Sequence, residues 1–157
     1  MPDLARHVVC PSCGALNRVP ASQPALQAKC GKCHLLLFTG KPVAADEAAF
    51  ERHITRNDIP VLVDFWAPWC QPCLAMAPAY ERAAAALEPD FRLLKVNADE
   101  AQRLMVRFAI RSIPTLMLFA RGRPIAQMSG ALDARRITEW AKSQRDAILT
   151  AIKAETG

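Results

Sequence analysis

The sequence predicts an α/β chain: a central mixed β-sheet flanked by helices, with a small four-cysteine module ahead of it. Three observations carry that reading. From residue 46 onward, apolar runs rich in β-formers alternate with stretches of helical composition. The last two such runs are separated only by Arg121-Gly122-Arg123, so the sheet holds a hairpin as well as crossovers. Four of the six cysteines fall within residues 10–33, and TGKPVAA at Thr39–Ala45 reads as a linker. The chain thus divides into a module of residues 1–40 and a main domain of residues 41–157.

In the main domain, DEAAFERHITRND opens on Asp46, a residue suited to capping a helix, and spaces Phe50 and Ile54 four apart. IPVLVDFWA has the look of a strand buried on both faces. CLAMAPAYERAAAALE is helical in composition, and because helix formers continue past Pro78, a kink is expected there rather than an end. FRLLKVNAD reads as a second strand and EAQRLMVRFAI as a short helix. TLMLFARGRPIAQMSG supplies two strands turning at Gly122. Asp133 caps one long final helix whose apolar face includes Ile137, Trp140, Ala141, Ile148, Leu149 and Ile152. In this αβαβαββα order a helix between successive strands predicts parallel crossovers, and the last two strands an antiparallel hairpin.

The N-terminal cysteines form two pairs, Cys10-Pro-Ser-Cys13 and Cys30-Gly-Lys-Cys33, sixteen residues apart. That is the spacing of a zinc site, with each pair making a tight turn that aims two sulfurs at one ion. Four thiolates close a tetrahedral shell and leave no open position for water, so a single structural zinc is expected. Two disulfides or four free thiols are the alternative, and a fragment this short has too little core to fold unaided. His7 and His34 lie nearby, but four sulfurs suffice, and both are read as surface residues.

The net charge of +5 raises the question of an acidic partner. Residues 1–40 hold four Lys/Arg against one Asp, or +3; four thiolates on one Zn²⁺ reduce that to about +1. Phe38 is the one aromatic residue there, too few for a base-stacking platform, and no nucleic-acid partner is expected. No apolar run approaches the roughly 20 residues that span a bilayer. The opening MPDLARHVVCPSCG lacks the apolar core of a secretory signal, so a reducing cytoplasm is the expected location.

Cys70 and Cys73 have no further pair with which to close a metal shell. They fall where a buried strand passes into a helix. A thiol at a helix N-terminus ionises more easily, and the thiolate is the nucleophile. Cys73 lies one turn on, near enough to form a disulfide, and Pro72 sits in the first turn, where its missing N–H costs nothing and its ring stiffens the loop. A C-x-x-C beside a β–α junction is a redox signature; a pair of packed thiols is the bland alternative.

DFWAPWCQPC resembles the active site of the thioredoxin family, whose usual core is W-C-G-P-C. Further family marks follow in order across residues 46–145: Asp64, Pro78, Lys95, Ser112-Ile113-Pro114-Thr115, Gly122 and Gly130. With the four-cysteine module in front, the whole chain is similar to zinc-containing bacterial members of the thioredoxin 2 type. The resemblance implies a thioredoxin fold and a protein-disulfide reductase. Cys70 is then the attacking thiolate, Cys73 the resolving one, and Asp64 the proton acceptor for Cys73, its pKa raised by burial. Lys95 is implied to reach Asp64 with its ammonium. Pro114 is implied to be cis, leaving the Ile113 backbone free to pair with an extended substrate segment. Trp69, Ile113, Gly130 and Ala131 match the family's shallow substrate groove, with Gln71 at its rim; Trp66 is read as core. Each carboxylate or lysine also has a plainer reading, Asp64 as a strand-shaping residue and Lys95 as a surface one.

The implied partners are disulfide-containing target proteins and a flavin- and NADPH-dependent thioredoxin reductase, with no organic cofactor bound, no membrane, and a monomeric chain. Two features depart from the family. Gln71 replaces the usual glycine and is expected to alter disulfide stability or target contact. SQRDAILTAIKAE extends the last helix, with Ile148, Leu149 and Ile152 expected to cover the metal module or a partner chain, or else to fray. The competing functions are a disulfide-forming oxidant or isomerase, and a zinc-ribbon docking or redox-sensing protein whose thioredoxin domain responds to oxidation.

Overall fold

The computed structural model describes residues 5–156, organised around two sheets. In the smaller sheet, β1 (Arg6–Val9) pairs antiparallel with β2 (Leu16–Val19). The larger has five strands in the order β3-β5-β4-β6-β7. These are β3 (Val43–Ala44), β4 (Val61–Trp66), β5 (Arg92–Asn97), β6 (Thr115–Ala120) and β7 (Arg123–Ser129). Helices α1 (Glu47–Arg56) and α3 (Gln102–Arg107) cover one face. The other carries α2 (Gln71–Leu87), α4 (Ala134–Ser143) and α5 (Arg145–Thr156).

Strand alternation sorts the core. Val61, Val63 and Phe65 of β4 join Phe50 and Ile54 of α1, where Phe50 meets Phe108 and Phe119 edge-on. Leu62 points the other way, into a cluster with α2 and with Ile137 and Ala141 of α4. Asp64 shares that second face by its parity and is fully buried. Asp46 caps α1 as its chemistry predicts, its Oδ1 accepting from the Ala49 N–H at 2.8 Å.

The structure departs from the sequence-based expectation in three places. The β4–α2–β5 crossover is parallel as expected, but β6 runs antiparallel to β4. The reason is length: the six residues of α3 rise about 9 Å, whereas a six-residue strand spans about 20 Å. The chain therefore re-enters the sheet at the end where β5 left it. Secondly, the linker contains β3, which pairs parallel with β5 through Val43↔Leu94 and Ala44↔Lys95. Two residues are too few to show a period. Thirdly, the long final helix is two helices, broken at Gln144, whose N–H turns back to Ala141 O at 3.2 Å. Ile148 and Ala151 of α5 bury in one apolar cluster with Leu87 and Phe91, and Ile152 packs against it, while Leu149 stays half exposed. The extra length thus covers the α2 face of the main sheet.

The two sheets are joined by Arg92. Its side chain has no exposure, and its Nη2 donates to the carbonyls of Val9 (3.1 Å) and Leu37 (2.8 Å), on either side of the four-cysteine segment. Nη1 donates to Glu88 Oε2 at 3.1 Å, and Glu88 Oε1 accepts from Gly40 N–H at 2.6 Å. The guanidinium also stacks over Phe38, 4.7 Å from the ring centroid. A second tie runs through Asn57. Its Oδ1 accepts from Val9 N–H at 2.8 Å and its Nδ2 contacts His53 Nδ1 at 2.9 Å, so the buried imidazole accepts there and is neutral. All these ties lie at the start of β4 and β5. The Cys70–Cys73 pair follows the far end of β4.

Arg92→Met should leave Glu88 as an uncompensated buried charge, with a loss of about 3–5 kcal/mol. In Arg92→Met/Glu88→Gln the loss should be smaller than the sum of the singles, read from urea midpoints. Burial, then the charges of Arg92 and Arg52, holds the His53 pKa down from 6.5 to about 3. A depressed folded-state pKa gives stability that is complete above pH 6.5 and lost as pH falls toward 3. Between pH 7 and pH 4.5 wild type should therefore lose about 3 kcal/mol relative to His53→Gln, measured by urea titration at each pH.

Candidate functional site

Cys70 is the N-cap of α2, in extended backbone, and Cys73 lies one turn on. The two are disulfide-bonded with Cα atoms 5.2 Å apart. The Cys73 N–H donates to Cys70 Sγ at 3.2 Å. That N–H is one of the four that every helix start leaves without a backbone partner, and it points at the Cys70 sulfur, where the helix start favours negative charge. Pro72 occupies the first turn and α2 runs unbroken through Pro78. Cys70 Sγ lies 3.7 Å from the Ile113 carbonyl, which precedes a cis Ile113–Pro114 bond. Both sulfurs are nearly covered, packed with Ala67 and flanked by Trp66 and Ile113.

Asp64 lies on β4, the strand whose end leads into this pair. It is fully buried and neither carboxylate oxygen has a hydrogen-bond partner. Burial pushes its pKa up from 3.8 to about 7, with Lys95 pulling the other way. Lys95 is level with Asp64 in the β4–β5 register. Its ammonium rests over the Trp66 ring, 4.4 Å from the centroid, rather than hydrogen-bonding the carboxylate. Trp66 is thus only half buried and bridges Lys95 to the dithiol, a position that its reading as core did not foresee. Below Asp64, Tyr80 of α2 reaches across to the carbonyls of Leu94 (2.7 Å) and Leu62 (3.1 Å), binding the helix to β4 and β5.

Trp69 is two-thirds exposed, and its indole N–H donates to Asp99 Oδ2 at 2.9 Å. Trp69 and Ile113 line a shallow hollow of about 260 Å³ with Asp99, Met105, Ile110 and Arg111. Gln71, Gly130 and Ala131 are exposed and lie outside this hollow. Gly130 is tied to the proline loop, its N–H donating to Pro114 O at 2.9 Å, with φ +102, a value that a side chain would strain. Asp99 and Arg111 were not found from sequence; they carry no periodic signal and only the folded loops bring them to Trp69.

Among the described residues, Cys10, Cys13, Cys30 and Cys33 form the one cluster of three or more metal-ligating side chains. All four sulfurs lie within 4.8 Å of one another, with Cys10–Cys33 and Cys13–Cys30 at 3.6 Å. A tetrahedron of sulfurs about 2.3 Å from a zinc ion has edges of about 3.8 Å, so the arrangement fits such an ion. His7 and His34 stay outside: His7 bonds Asp58 at 3.1 Å, and His34 is exposed at φ +66. No helix among the described residues is long and apolar enough to cross a membrane.

A family model described as Thioredoxin matches residues 41–143, and one described as Thioredoxin 2, N-terminal, a zinc ribbon, matches residues 9–34. Thioredoxin C-3 of Corynebacterium nephridii is 39% identical over 87% of this chain and 94% of its own length. Thioredoxin of Rhodospirillum rubrum is 40% identical over 62% of this chain and 93% of its own. Among solved structures, a point mutant of thioredoxin from Halobacterium salinarum superposes with a TM-score of 0.61 at 30% identity, over 68% of this chain and 93% of that one. Chloroplastic thioredoxin z gives 0.62 at 28% identity, over 68% and 96%.

The buried carboxylate should register in stability. An acid whose folded pKa is raised binds its proton more tightly when folded, so stability falls as pH rises from 3.8 to about 7, by up to about 4 kcal/mol. Asp64→Asn should remove that loss: between pH 5 and pH 8.5 its urea midpoint should gain on wild type by the part of the loss lying above pH 5.

Proposed function

The chain belongs to the thioredoxin family, and we propose that it is the kind of thiol–disulfide oxidoreductase that reduces disulfides in other proteins. The observation that carries this is Cys70 at the start of α2, under the Cys73 N–H and beside the Ile113 backbone. In the reduced enzyme, the Cys70 thiolate attacks one sulfur of a target disulfide. The other target sulfur leaves as thiolate and takes up a proton. Cys73, giving its proton to Asp64, then attacks Cys70 Sγ. The Cys70–Cys73 disulfide forms, and the second target thiolate leaves, protonated in its turn. Two electrons have moved from enzyme to target. An unpartnered buried carboxylate with a pKa near 7 suits the acceptor role, and Lys95 over Trp66 supplies nearby positive charge.

The target segment lies along Ile113 and Pro114, with Trp69, Gln71, Gly130 and Ala131 around it. A flavin- and NADPH-dependent reductase returns the disulfide to the dithiol. Cys10, Cys13, Cys30 and Cys33 hold one zinc ion, whose closed shell of four thiolates serves structure only. The division into a zinc module of residues 1–40 and a thioredoxin domain of residues 41–157 follows this split in chemistry, and the reducing cytoplasm is the setting in which the Cys70–Cys73 dithiol and the four metal thiolates persist. A docking role for the module is a second reading, favoured by Leu26 and Leu35, both more than half exposed.

Insulin-disulfide reduction with NADPH and the flavin reductase tests the proposal. Wild type is expected to be active and Cys70→Ser inactive; Cys73→Ser should accumulate a mixed disulfide with the target. Metal analysis of the same sample should give one zinc per chain. An inactive wild type would overturn the reductase reading.

A further inference from the structure

The two cysteine turns are built alike. Cys10 N–H bonds Ala15 O at 2.9 Å and Cys30 N–H bonds Leu35 O at 2.8 Å. Gly14 N–H returns to Cys10 O at 3.0 Å and His34 N–H to Cys30 O at 2.9 Å. Ser12 N–H faces Cys10 Sγ and Lys32 N–H faces Cys30 Sγ, each at 3.4 Å. The likeness breaks at one side chain. Asn17, half buried on β2, has Leu37 as its counterpart twenty residues on. Its Nδ2 donates to Ala15 O at 3.1 Å, behind the first turn, and to Cys30 Sγ at 3.5 Å, in the second. Its Oδ1 accepts from Gly31 N–H at 2.9 Å. One amide thus ties both turns together and places an N–H on a ligating sulfur.

We propose that Asn17 is the positioning residue of the metal site, holding the second cysteine pair in register with the first and stabilising the Cys30 thiolate. This rests on the reading that the four-cysteine cluster takes zinc. Two contacts from one side chain, to Cys30 Sγ and Gly31 N–H, fix the turn that carries Cys30 and Cys33, while the third anchors that side chain on Ala15 behind the first turn. The Nδ2 proton facing sulfur is favoured most when that sulfur is anionic, which is its state as a ligand. Groups that orient ligands in this way typically contribute 10- to 100-fold to metal affinity. A purely structural amide would need only the contacts to Ala15 and Gly31.

Zinc and cobalt(II) titrations against a chromophoric chelator, on wild type, Asn17→Ala and Asn17→Asp, test this, together with melting of each protein with and without metal. Asn17→Ala is expected to bind zinc roughly 10- to 100-fold more weakly. Asn17→Asp keeps an acceptor for Gly31 but sets a carboxylate oxygen against the sulfur, and should bind at least as weakly as Asn17→Ala. The melting temperatures of the metal-free proteins should be alike. An Asp variant with wild-type affinity would overturn the proposal, as would an equal loss of melting temperature in metal-free and metal-loaded Asn17→Ala. Wild type that binds no zinc would overturn the metal reading itself, and the inference with it, and shows in the same titration before any variant is compared.

Discussion

A guanidinium sealed from water is expensive unless every neighbour answers it, and Arg92 is answered on several sides. Val9, Leu37, Glu88 and the Phe38 ring converge on it. Those neighbours come from β1, from the segment after the second cysteine pair, and from the C-terminal cap of α2. The module has little core of its own: Val8, Val19, Leu37 and Phe38 share their cluster with Ile59 of the main domain. Its cysteine turns need a platform, and Arg92 supplies the polar part of one. Since β5 also carries Lys95, and α2 also carries the dithiol, the elements that hold the module are those that build the redox site at their other ends.

The buried titratable groups pull stability in opposite senses. His53 stands where the module meets α1 and is held neutral, which favours the folded state as pH rises from about 3 to 6.5. Asp64 favours it as pH falls from about 7 to 3.8. The two slopes overlap between pH 3.8 and 6.5 and tend to cancel. A carboxylate kept in apolar surroundings thus lowers stability at neutral pH and above, and the histidine offsets its slope on the acid side only. Function at the redox site and docking of the module meet in one pH profile.

Much of this was legible because particular residues have one economical use. Asp46 before an apolar pair spaced by four marked α1, and IPVLVDFWA could hardly be other than a central strand. The two cysteine pairs marked by spacing alone the four sulfurs that the fold gathers in metal-ligating geometry. The direction of β6 was not legible, because it depends on how far α3 travels rather than on any residue in β6. Strand β3 was too short to carry a period, and Gln144 carries no helix-breaking chemistry. Nothing in the sequence marked Arg92 and Glu88, a strand-start and a helix-end charge whose side chains the fold buries together. The resemblance implied that Lys95 reaches Asp64 with its ammonium; the two are level in the β4–β5 register, but the ammonium rests over the Trp66 ring and not on the carboxylate.

The placement of the module at the start of β4, with the dithiol beyond its end, bears on self-reactivity. A chain that carries a disulfide-forming pair and four further cysteines can in principle form mismatched bridges. Bridging two cysteines requires Cα atoms within about 7 Å, as they are between Cys70 and Cys73 at 5.2 Å. The four module sulfurs gather within 4.8 Å of one another, while Cys70 is bonded to Cys73. The fold thus sorts six chemically identical side chains into two sets, each sulfur closest to members of its own set, so the partner each thiol meets first is chosen by folding and not by sequence spacing.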